Sequence, residues 1–336
     1  MAHRASDENF ILKRIIGHAR DAMPNSAGRA VRLGIGDDAA IFRPKAGYQT
    51  LLTCDWFLEG THFLRDTHPP DAVGWKCLAR ALSDVAAMGG LPRCFLLSLA
   101  LPGSHTGRWL DEFLSGLRRA ARRFDCVLAG GDTTRRQKIL ISVTIVGEVA
   151  SARAVLRSGA RPGNIIYVSG RLGGAELGLH LLRTGRGPRK GKDLRTRKHL
   201  YPEPRLALGQ WLADRGLATA MMDLSDGLSS DLPRLCAASG VGARIKSRKI
   251  PVVRVSGGLP KHGIDPFELA LHGGDDYELL FTVDARRVGM LPASYRGVAL
   301  TPIGKIAEKP VLALLEENGR WRELSPGGWD PFRAKG

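Results

Sequence analysis

The sequence lacks a hydrophobic run long enough to cross a membrane. Its longest charge-free apolar stretches, residues 94–103 and 139–147, reach about half of the roughly 20 residues that a spanning helix needs. The N-terminal segment also lacks the apolar core and the cleavage site of a secretory signal peptide. These absences predict a cytoplasmic protein without a membrane partner.

Cysteines are few, and their spacing forms no motif. The chain has five, and no two of them make a C-x-x-C pair. An odd number without that spacing argues against both a disulfide framework and a zinc site. We therefore expect reduced thiols, as in a cytosolic protein.

Acidic residues are scarce relative to basic ones. Fifty Lys and Arg stand against thirty-three Asp and Glu, which gives a formal net charge of +17 over 336 residues. Such a charge suits either nucleic acid or small phosphorylated ligands. The densest basic run, residues 183–198, is rich in Gly and has no aromatic side chain to stack on bases. This run is typical of a surface loop, and we hypothesise that it steers ATP toward the protein rather than binding nucleic acid.

The order of helical and strand patterns predicts two mixed α/β (α+β) domains, 1–150 and 151–336. At roughly 150 residues per domain, the length allows two domains with sizeable cores. Strands and helices do not alternate strictly, which argues against a barrel. The predicted helices cover 8–19, 70–89 and 106–124, and the predicted strands cover 47–55, 94–102, 127–134 and 138–149.

Short acidic motifs beside glycines recur along this basic chain. Carboxylates that converge repel one another unless cations separate them, and clustered oxygen ligands suit Mg²⁺ rather than zinc. Neighbouring glycines let the backbone approach phosphate oxygens. The pattern predicts a magnesium-phosphate site. The motif residues are Asp37, Asp38, Asp55, Glu59, His62, Asp84, Asp132, Asp223, Asp226, Asp231, Asp275, Asp276 and Glu278.

Several common catalytic motifs are absent, and single motifs have simpler interpretations. The chain has no G-x-x-x-x-G-K-[ST], no G-x-S-x-G and no H-E-x-x-H, which excludes the P-loop class and argues against serine hydrolases and zinc proteases. One Gly-Asp pair alone is most often a turn or a helix cap. Asp84 differs, because its helical neighbours Leu82, Val85 and Met88 are apolar. A carboxylate on that face requires a partner.

Taken together and in order, the motifs resemble one family. GIGDDAA (34–40), D-x-x-x-E-G-x-H-F (55–63), LSDVAAMG (82–89), GGDTT (130–134) and RSGARPGN (157–164) are followed by SDGL, GGDDYELLF and GGWDPF. This order is similar to that of the thiamine-monophosphate kinase family, in the superfamily of aminoimidazole-ribonucleotide synthetase and selenophosphate synthetase. The resemblance covers nearly the whole chain. It implies the two-domain fold of that superfamily, with mixed sheets and flanking helices.

The resemblance also implies an activity and its partners. Members of the family use ATP and several Mg²⁺ ions to phosphorylate thiamine monophosphate to thiamine diphosphate. They form homodimers around the sheets of their N-terminal domains. The resemblance implies that the N-terminal domain carries the metal and ATP site and the dimer contact. It implies that the C-terminal domain completes the ATP and substrate sites.

Site residues follow from the same resemblance. Asp132, Asp226 and Arg157 are the implied catalytic residues, and the ATP contacts are Gly131, Asp132, Arg157 and Ser225. The implied substrate contacts are His62, Asp275 and Trp329. The implied metal ligands are Asp37, Asp38, Thr53, Cys54, Asp55, Asp84, Asp132, Asp223 and Asp226.

Two positions depart from the family pattern. Cys54 stands where the family usually has Ser or Thr, and a thiol is a poor ligand for Mg²⁺ unless only its backbone oxygen is used. Asp275 stands in GGDD where the family usually has GGED, so its carboxylate is one methylene shorter. These departures concern one metal ligand and one substrate contact.

The residue inventory suits phosphoryl transfer to a phosphate monoester. The second pKa of such an acceptor is near 6, so no general base is required at neutral pH. Trp329 or Tyr277 could hold the thiazolium cation of the substrate, aided by Asp275.

Three alternatives stay open at this point. Another ATP-using member of the same superfamily could act on a different acceptor, and selenophosphate synthetase would be the nearest. That enzyme uses a reactive Cys or selenocysteine near its N-terminus, and the first fifty-three residues here contain no cysteine. A metal-dependent phosphohydrolase would use the same carboxylates with water as acceptor. A basic nucleic-acid-binding protein would depend on the +17 charge and tolerate loss of the carboxylates.

Overall fold

The computed structural model describes residues 8–20, 30–184, 194–254 and 264–332. The chain forms two compact units. The first consists mainly of the residues up to Val85 and of Gly90–Ser151, and the second contains Ala86–Gly89 and most of the chain from Ala152 onward. Within the described ranges, no helix combines the length and the apolar character that a membrane span requires.

The first unit combines a four-stranded sheet with three helices. The strand order is β3-β6-β4-β5; β4 and β5 are parallel and the other neighbours antiparallel, while β1 and β2 form a separate small pair. The helices are α1 (Glu8–Arg20), α2 (Pro70–Ala87) and α3 (Arg108–Arg123). The strands are β1 (Val31–Leu33), β2 (Ile41–Phe42), β3 (Tyr48–Leu58), β4 (Leu91–Leu101), β5 (Val127–Arg135) and β6 (Leu140–Ala150).

Close helix packing and side-chain alternation shape this unit. A Cβ at Gly74 of α2 would collide with the backbone of Phe113 in α3, so the two helices approach closely only because glycine stands there. Along β3, side chains alternate between the two faces of the sheet. Phe57 is buried on one face, and Leu52 and Trp56 are exposed on the other. The sheet therefore has one covered face and one open face in the single chain.

The second unit is built on an eight-stranded mixed sheet. The order is β14-β13-β9-β12-β7-β10-β8, with β11 paired to β12, and only β9 and β13 are parallel. Its helices are α4 (Gly174–Arg183), α5 (Leu194–Leu200), α6 (Leu206–Asp214), α7 (Leu228–Ser239) and α8 (Pro266–His272). Its strands are β7 (Ile165–Ser169), β8 (Ala218–Leu224), β9 (Gly242–Lys246), β10 (Glu278–Val283), β11 (Ser294–Tyr295), β12 (Val298–Ala307), β13 (Leu312–Leu315) and β14 (Trp321–Glu323).

The hydrophobic core of the second unit joins its central strands to α7. Buried side chains from several strands and from α7 meet there, among them Ile166, Met222, Leu232 and Leu280. Helix α7 begins after Gly227, whose φ is 101°, and ends at Gly240 in the left-handed conformation. These glycines set where the helix starts and stops, because other residues rarely adopt positive φ.

Most predicted elements recur with shifted ends. The predicted mixed α/β fold with flanking helices is confirmed. The strand predicted over 47–55 continues to Leu58, so Asp55 lies inside a strand. Of the predicted basic loop 183–198, residues 185–193 lie outside the described residues. Its end is not a loop, because α5 begins at Leu194.

Candidate functional site

In the first unit, α2 and β3 bring together three of the predicted metal ligands. The Thr53 hydroxyl donates a 2.6 Å hydrogen bond to Asp84 Oδ2. The Arg80 guanidinium donates from Nε to Asp55 Oδ2 at 3.1 Å. Asp84 therefore has the partner that its apolar surroundings require, and an arginine already offsets part of the negative charge. Thr53, Asp55 and Asp84 form a group of oxygen donors on the helix-covered face.

The Cys54 side chain lies on the opposite face of the same strand. A hydrogen bond of 3.3 Å joins Cys54 Sγ and Ser142 Oγ, and the Thr144 hydroxyl donates to Cys54 Sγ at 3.4 Å. Side chains alternate along a strand, so the thiol faces away from Asp55 and Thr53. Only the backbone of Cys54 is placed to share a ligand with those two residues.

Replacing Cys54 should leave the magnesium requirement unchanged. In Cys54→Ser, we expect the Mg²⁺ concentration that gives half-maximal activity to stay within about twofold, because the side chain lies on the open face. In Thr53→Val, loss of the hydroxyl beside Asp84 should raise the Mg²⁺ concentration that gives half-maximal activity several-fold. The measurement is a Mg²⁺ titration of activity for both variants beside the parent. A changed Mn²⁺ to Mg²⁺ preference in Cys54→Ser alone would contradict the assignment.

The remaining acidic motifs of the first unit are exposed. Asp132 lies in β5 and is in register with Ser98 on the open face. A Cβ at the preceding Gly131 would collide with the Leu97 carbonyl oxygen, so only glycine fits there. In the loop after Gly36, the Asp38 N–H donates to Asp37 Oδ1 at 2.9 Å. The structure does not place Asp132 on the face that holds Asp55 and Asp84.

His62 has a structural contact of its own. The Leu58 N–H donates to His62 Nδ1 at 3.0 Å, and the ring centroid lies 5.9 Å from that of Phe57. Because Nδ1 accepts this hydrogen bond, the neutral ring carries its proton on Nε2. His62 thus closes the turn after β3, and its role as a substrate contact stays a prediction.

In the second unit, a buried aspartate organises the turn between β8 and α7. Asp231 Oδ2 accepts hydrogen bonds from the N–H groups of Ser225 and Asp226 at 3.1 and 3.0 Å. Arg234 forms ion pairs with both Asp226 and Asp231. Burial and the nearby charge of Asp226 raise the pKa of Asp231 to about 6. The Asp231 carboxylate and Arg234 therefore fix the turn that carries Ser225 and Asp226 to the first turns of α7.

Three sequence motifs meet at this turn. The Asp275 N–H of GGDDY donates to the Ser225 carbonyl oxygen at 2.8 Å. The Trp329 N–H of GGWDPF donates to the Asp226 carbonyl oxygen at 2.9 Å. Asp223 is buried in β8 in register with Leu279 of β10. The structure thus brings Asp223, Ser225, Asp226, Asp275 and Trp329 into one region of the second unit, although they are far apart in sequence.

Asp275 is held in an unusual backbone conformation. Asp275 and Tyr277 have positive φ values of 64° and 49°, which non-glycine residues seldom adopt. The Tyr277 hydroxyl donates to Asp275 Oδ1 at 2.6 Å, and His199 Nδ1 lies 3.8 Å from Asp275 Oδ2. These contacts fix the direction of the carboxylate that stands where the family usually has glutamate.

A network of two buried carboxylates and two partly exposed basic side chains supports the GGDDYE segment. Lys198 lies 3.2 Å from both Asp276 Oδ1 and Glu278 Oε1. Arg205 makes two hydrogen bonds to Glu278, of 2.7 and 2.6 Å. Burial opposes the charge on both acids, yet the pairs with Lys198 and Arg205 hold the pKa of Glu278 below its ordinary value. Burial raises the pKa of Asp276.

The same network fixes the start of α4. Asp276 accepts hydrogen bonds from the N–H groups of Gly173 and Ala175, at 2.5 and 3.1 Å. Lys198 and Arg205 were not among the predicted site residues, because they lie about 70 to 80 positions before their partners. The one available signal was that Lys198 ends the basic run, and the structure explains that lysine as a partly buried counter-ion of two buried carboxylates.

Arg157 lies apart from the turn that holds Asp226. Its carbonyl oxygen accepts a hydrogen bond from the Ser239 hydroxyl, at the last residue of α7. Asp226 lies before the first turn of that helix, and twelve helical residues span about 18 Å. The structure does not bring the Arg157 backbone close to Asp226.

The described residues contain no preformed group of three or more His, Cys, Asp and Glu side chains that could hold a metal ion. The donor types do suit Mg²⁺, because the predicted ligands that meet within each unit offer carboxylate and hydroxyl oxygens. Guanidinium groups of Arg80 and Arg234 pair with Asp55 and Asp226, where a bound cation would compete with them.

Comparisons with known proteins show which family this chain resembles over its length. Two family models match the chain: AIR synthase related protein, N-terminal domain, over 36–149, and AIR synthase related protein, C-terminal domain, over 161–318. The predicted fold type is thereby confirmed. The thiamine-monophosphate kinase of Escherichia coli (strain K12) is 40% identical over 309 residues, which cover 90% of this chain and 92% of that protein.

Solved structures give the same result. The crystal structure of thiamine-monophosphate kinase from Stenotrophomonas maltophilia K279a matches with a TM-score of 0.79 at 36% identity, covering 91% of this chain and 96% of that one. The structure of AaThiL complexed with AMPPCP and TMP matches with a TM-score of 0.76 at 34% identity, covering 99% of both chains. The similarity therefore extends over both units.

Proposed function

Because this chain belongs to the thiamine-monophosphate kinase family, we propose that it transfers the γ-phosphoryl group of ATP to thiamine monophosphate. The products are thiamine diphosphate and ADP. The observation that carries the proposal is the meeting of the SDGL, GGDDY and GGWD motifs, in which main-chain hydrogen bonds join Ser225 to Asp275 and Asp226 to Trp329. A metal-dependent phosphohydrolase that uses water as acceptor would not require an aromatic side chain such as Trp329 beside the turn that carries Asp226.

Magnesium ions fit the oxygen donors of both units. Thr53, Asp55 and Asp84 would hold Mg²⁺ in the first unit, and Asp223 and Asp226 would do so in the second. Bound Mg²⁺ would neutralise phosphate charge and orient the oxygens of the two phosphate-bearing substrates. The roles of Asp37, Asp38 and Asp132 as further ligands stay predictions.

The protein's own residues would bind and position the substrates. At neutral pH the acceptor phosphate is largely ionised, so catalysis depends on alignment and charge neutralisation rather than on a base. Asp275, fixed by Tyr277, would attract the thiazolium cation, and the half-exposed ring of Trp329 would offer its face to it. Ser225 would contact ATP through groups that the turn holds in place, and the ATP contact of Gly131 stays a prediction.

A product assay tests this proposal. Purified protein is incubated with MgATP labelled in the γ-phosphate and with thiamine monophosphate, and the products are separated by chromatography. Label in thiamine diphosphate, with one ADP formed per diphosphate, is the expected result. Release of labelled inorganic phosphate that does not require thiamine monophosphate would instead show a phosphohydrolase. A salt-dependent gel shift with no kinase activity would favour a nucleic-acid-binding protein.

The open sheet face of the first unit supports a homodimer. Leu52 and Trp56 of β3 are 72% and 57% exposed, and Leu96 of β4 lies on the same face, in register with Thr144 and Cys54. A soluble chain gains free energy by burying such a surface. The occupant we propose is the same face of a second copy, as the family resemblance implies. The free cysteines also suit a reducing, cytoplasmic location.

Trp56→Glu is expected to separate the dimer. A charge at the centre of an apolar interface should weaken association by at least about 2 kcal/mol, or roughly 30-fold in Kd. The measurement is sedimentation velocity over a concentration series. Met290→Glu is a matched control in the second unit, because Met290 is 55% exposed and lies off this face. An unchanged oligomeric state in Trp56→Glu would place the dimer contact elsewhere.

A further inference from the structure

A groove with two arginines lies at one end of the first unit's sheet. Its cavity volume is about 730 Å³. The lining residues are Pro102, Gly103, Ser104, Arg135, Arg136 and Gln137. The Arg135 guanidinium lies over Gly103, where a Cβ would be at an ordinary contact distance of 3.5 Å from its Nη2.

The two arginines are not used by the fold. Six other arginines of the unit lie within 4 Å of a carboxylate, namely Arg14, Arg65, Arg80, Arg93, Arg108 and Arg119. Within the described part of the chain, the Arg135 and Arg136 side chains form no ion pair and no hydrogen bond. Their ten N–H donors are thus available to a ligand.

The groove adjoins the segment that contains His62. Glu59 accepts the Ile139 N–H at 2.8 Å and donates its own N–H to the Ile139 carbonyl oxygen at 3.0 Å. These bonds tie the turn after Arg136 to the turn after β3. Glu59 is itself paired with Arg65, so the charge of this carboxylate is already offset. The groove keeps a net positive charge beside a predicted substrate contact.

We propose that this groove binds a phosphate group of one of the two substrates. Paired guanidinium groups recognise phosphate oxygens by charge-assisted, bidentate hydrogen bonds, and the Ser104 hydroxyl and Gln137 amide add neutral donors. The other site residues of this unit are mainly carboxylates, which cannot bind phosphate directly. The identity of the two substrates rests on the proposed function, and either the acceptor monoester or the ATP polyphosphate carries the required group.

The test is direct binding without metal. Isothermal titration in EDTA measures the Kd of thiamine monophosphate and of ATP, separately, for the parent and for the Arg135→Gln/Arg136→Gln double variant. We expect at least tenfold weaker binding of one ligand, because the double variant removes both guanidinium charges and their bidentate hydrogen bonds to phosphate oxygens. Weaker thiamine monophosphate binding assigns the groove to the acceptor, and weaker ATP binding assigns it to the nucleotide.

Controls distinguish an effect of the groove on ligand binding from a general effect of charge and from a failure of the proposed function. Arg108→Gln removes an exposed arginine of α3 that is paired with Glu112, and it should change neither Kd by more than twofold. Equal affinities in the parent and double variant for both ligands would overturn the proposal. If the double variant melts earlier than the parent, Arg136→Gln alone repeats the comparison. The parent could make no thiamine diphosphate while the double variant still binds ATP more weakly than the parent. That result would support the phosphate-binding groove and contradict the proposed kinase activity.

Discussion

Asp132→Asn and Asp226→Asn are each expected to lower kcat at least about 100-fold while the fold survives. Each change keeps the size of the side chain and removes one negative charge. Asp226 belongs to the proposed Mg²⁺ site of the second unit, and the family resemblance implies the same role for Asp132. Asp132 is exposed, and Asp226 is 25% exposed, so neither change leaves a fully buried group unpaired. The measurement is steady-state kinetics at saturating MgATP and thiamine monophosphate.

The Asp226 variant needs its own control, because its carboxylate pairs with Arg234. Asp214→Asn, on an exposed position at the end of α6, removes a carboxylate from the same unit and should leave kcat unchanged. Thermal melts of all three variants check the fold. Near-normal turnover in Asp132→Asn or Asp226→Asn would remove that residue from the catalytic set.

Lys198→Met is expected to destabilise the protein by about 3–5 kcal/mol. The change keeps an apolar stem but leaves the buried Asp276 without its ion pair and Glu278 with Arg205 alone. A buried carboxylate without a counter-charge is costly, and the cost falls on the loop that carries Asp275. Urea unfolding of the parent and the variant measures the difference.

Neighbouring positions supply the controls for Lys198. Arg197→Met changes the adjacent, exposed residue of α5 and should alter stability by less than about 0.5 kcal/mol. Lys198→Met combined with Asp276→Asn removes both charges and should recover part of the loss. A Lys198→Met protein as stable as Arg197→Met would show that the network contributes little.

Local patterns predicted the elements and many of the site residues. The amphipathic patterns over 8–19 and 70–89 predicted α1 and α2. Such helices can be predicted because their 3.6-residue apolar period involves only residues that are close together in the sequence. The need of Asp84 for a partner could also be predicted, since its neighbours are apolar. The sequence order of SDGL, GGDDY and GGWD indicated a shared site, and main-chain hydrogen bonds join these segments.

Long-range pairing accounts for what could not be predicted. No local pattern tells that Lys198 meets Glu278 or that Thr53 meets Asp84, because these contacts depend on tertiary packing. The side of the sheet that Cys54 faces follows from the alternation along β3, and the strand predicted over 47–55 already contained that information. The separation of Arg157 from Asp226 depends on the length of α7, which single-residue motifs do not report.

The exposure of Cys54 makes the chain selectively reactive toward thiol reagents. Cys77, Cys94, Cys126 and Cys236 are buried, and burial raises the pKa of Cys94 to about 11 and that of Cys236 to about 12. Those thiols carry almost no thiolate at neutral pH, whereas the Cys54 thiol is open to solvent. A maleimide dye would therefore attach once per folded chain, on the open sheet face. Its labelling rate would report, without any substitution, whether that face is covered at a given protein concentration.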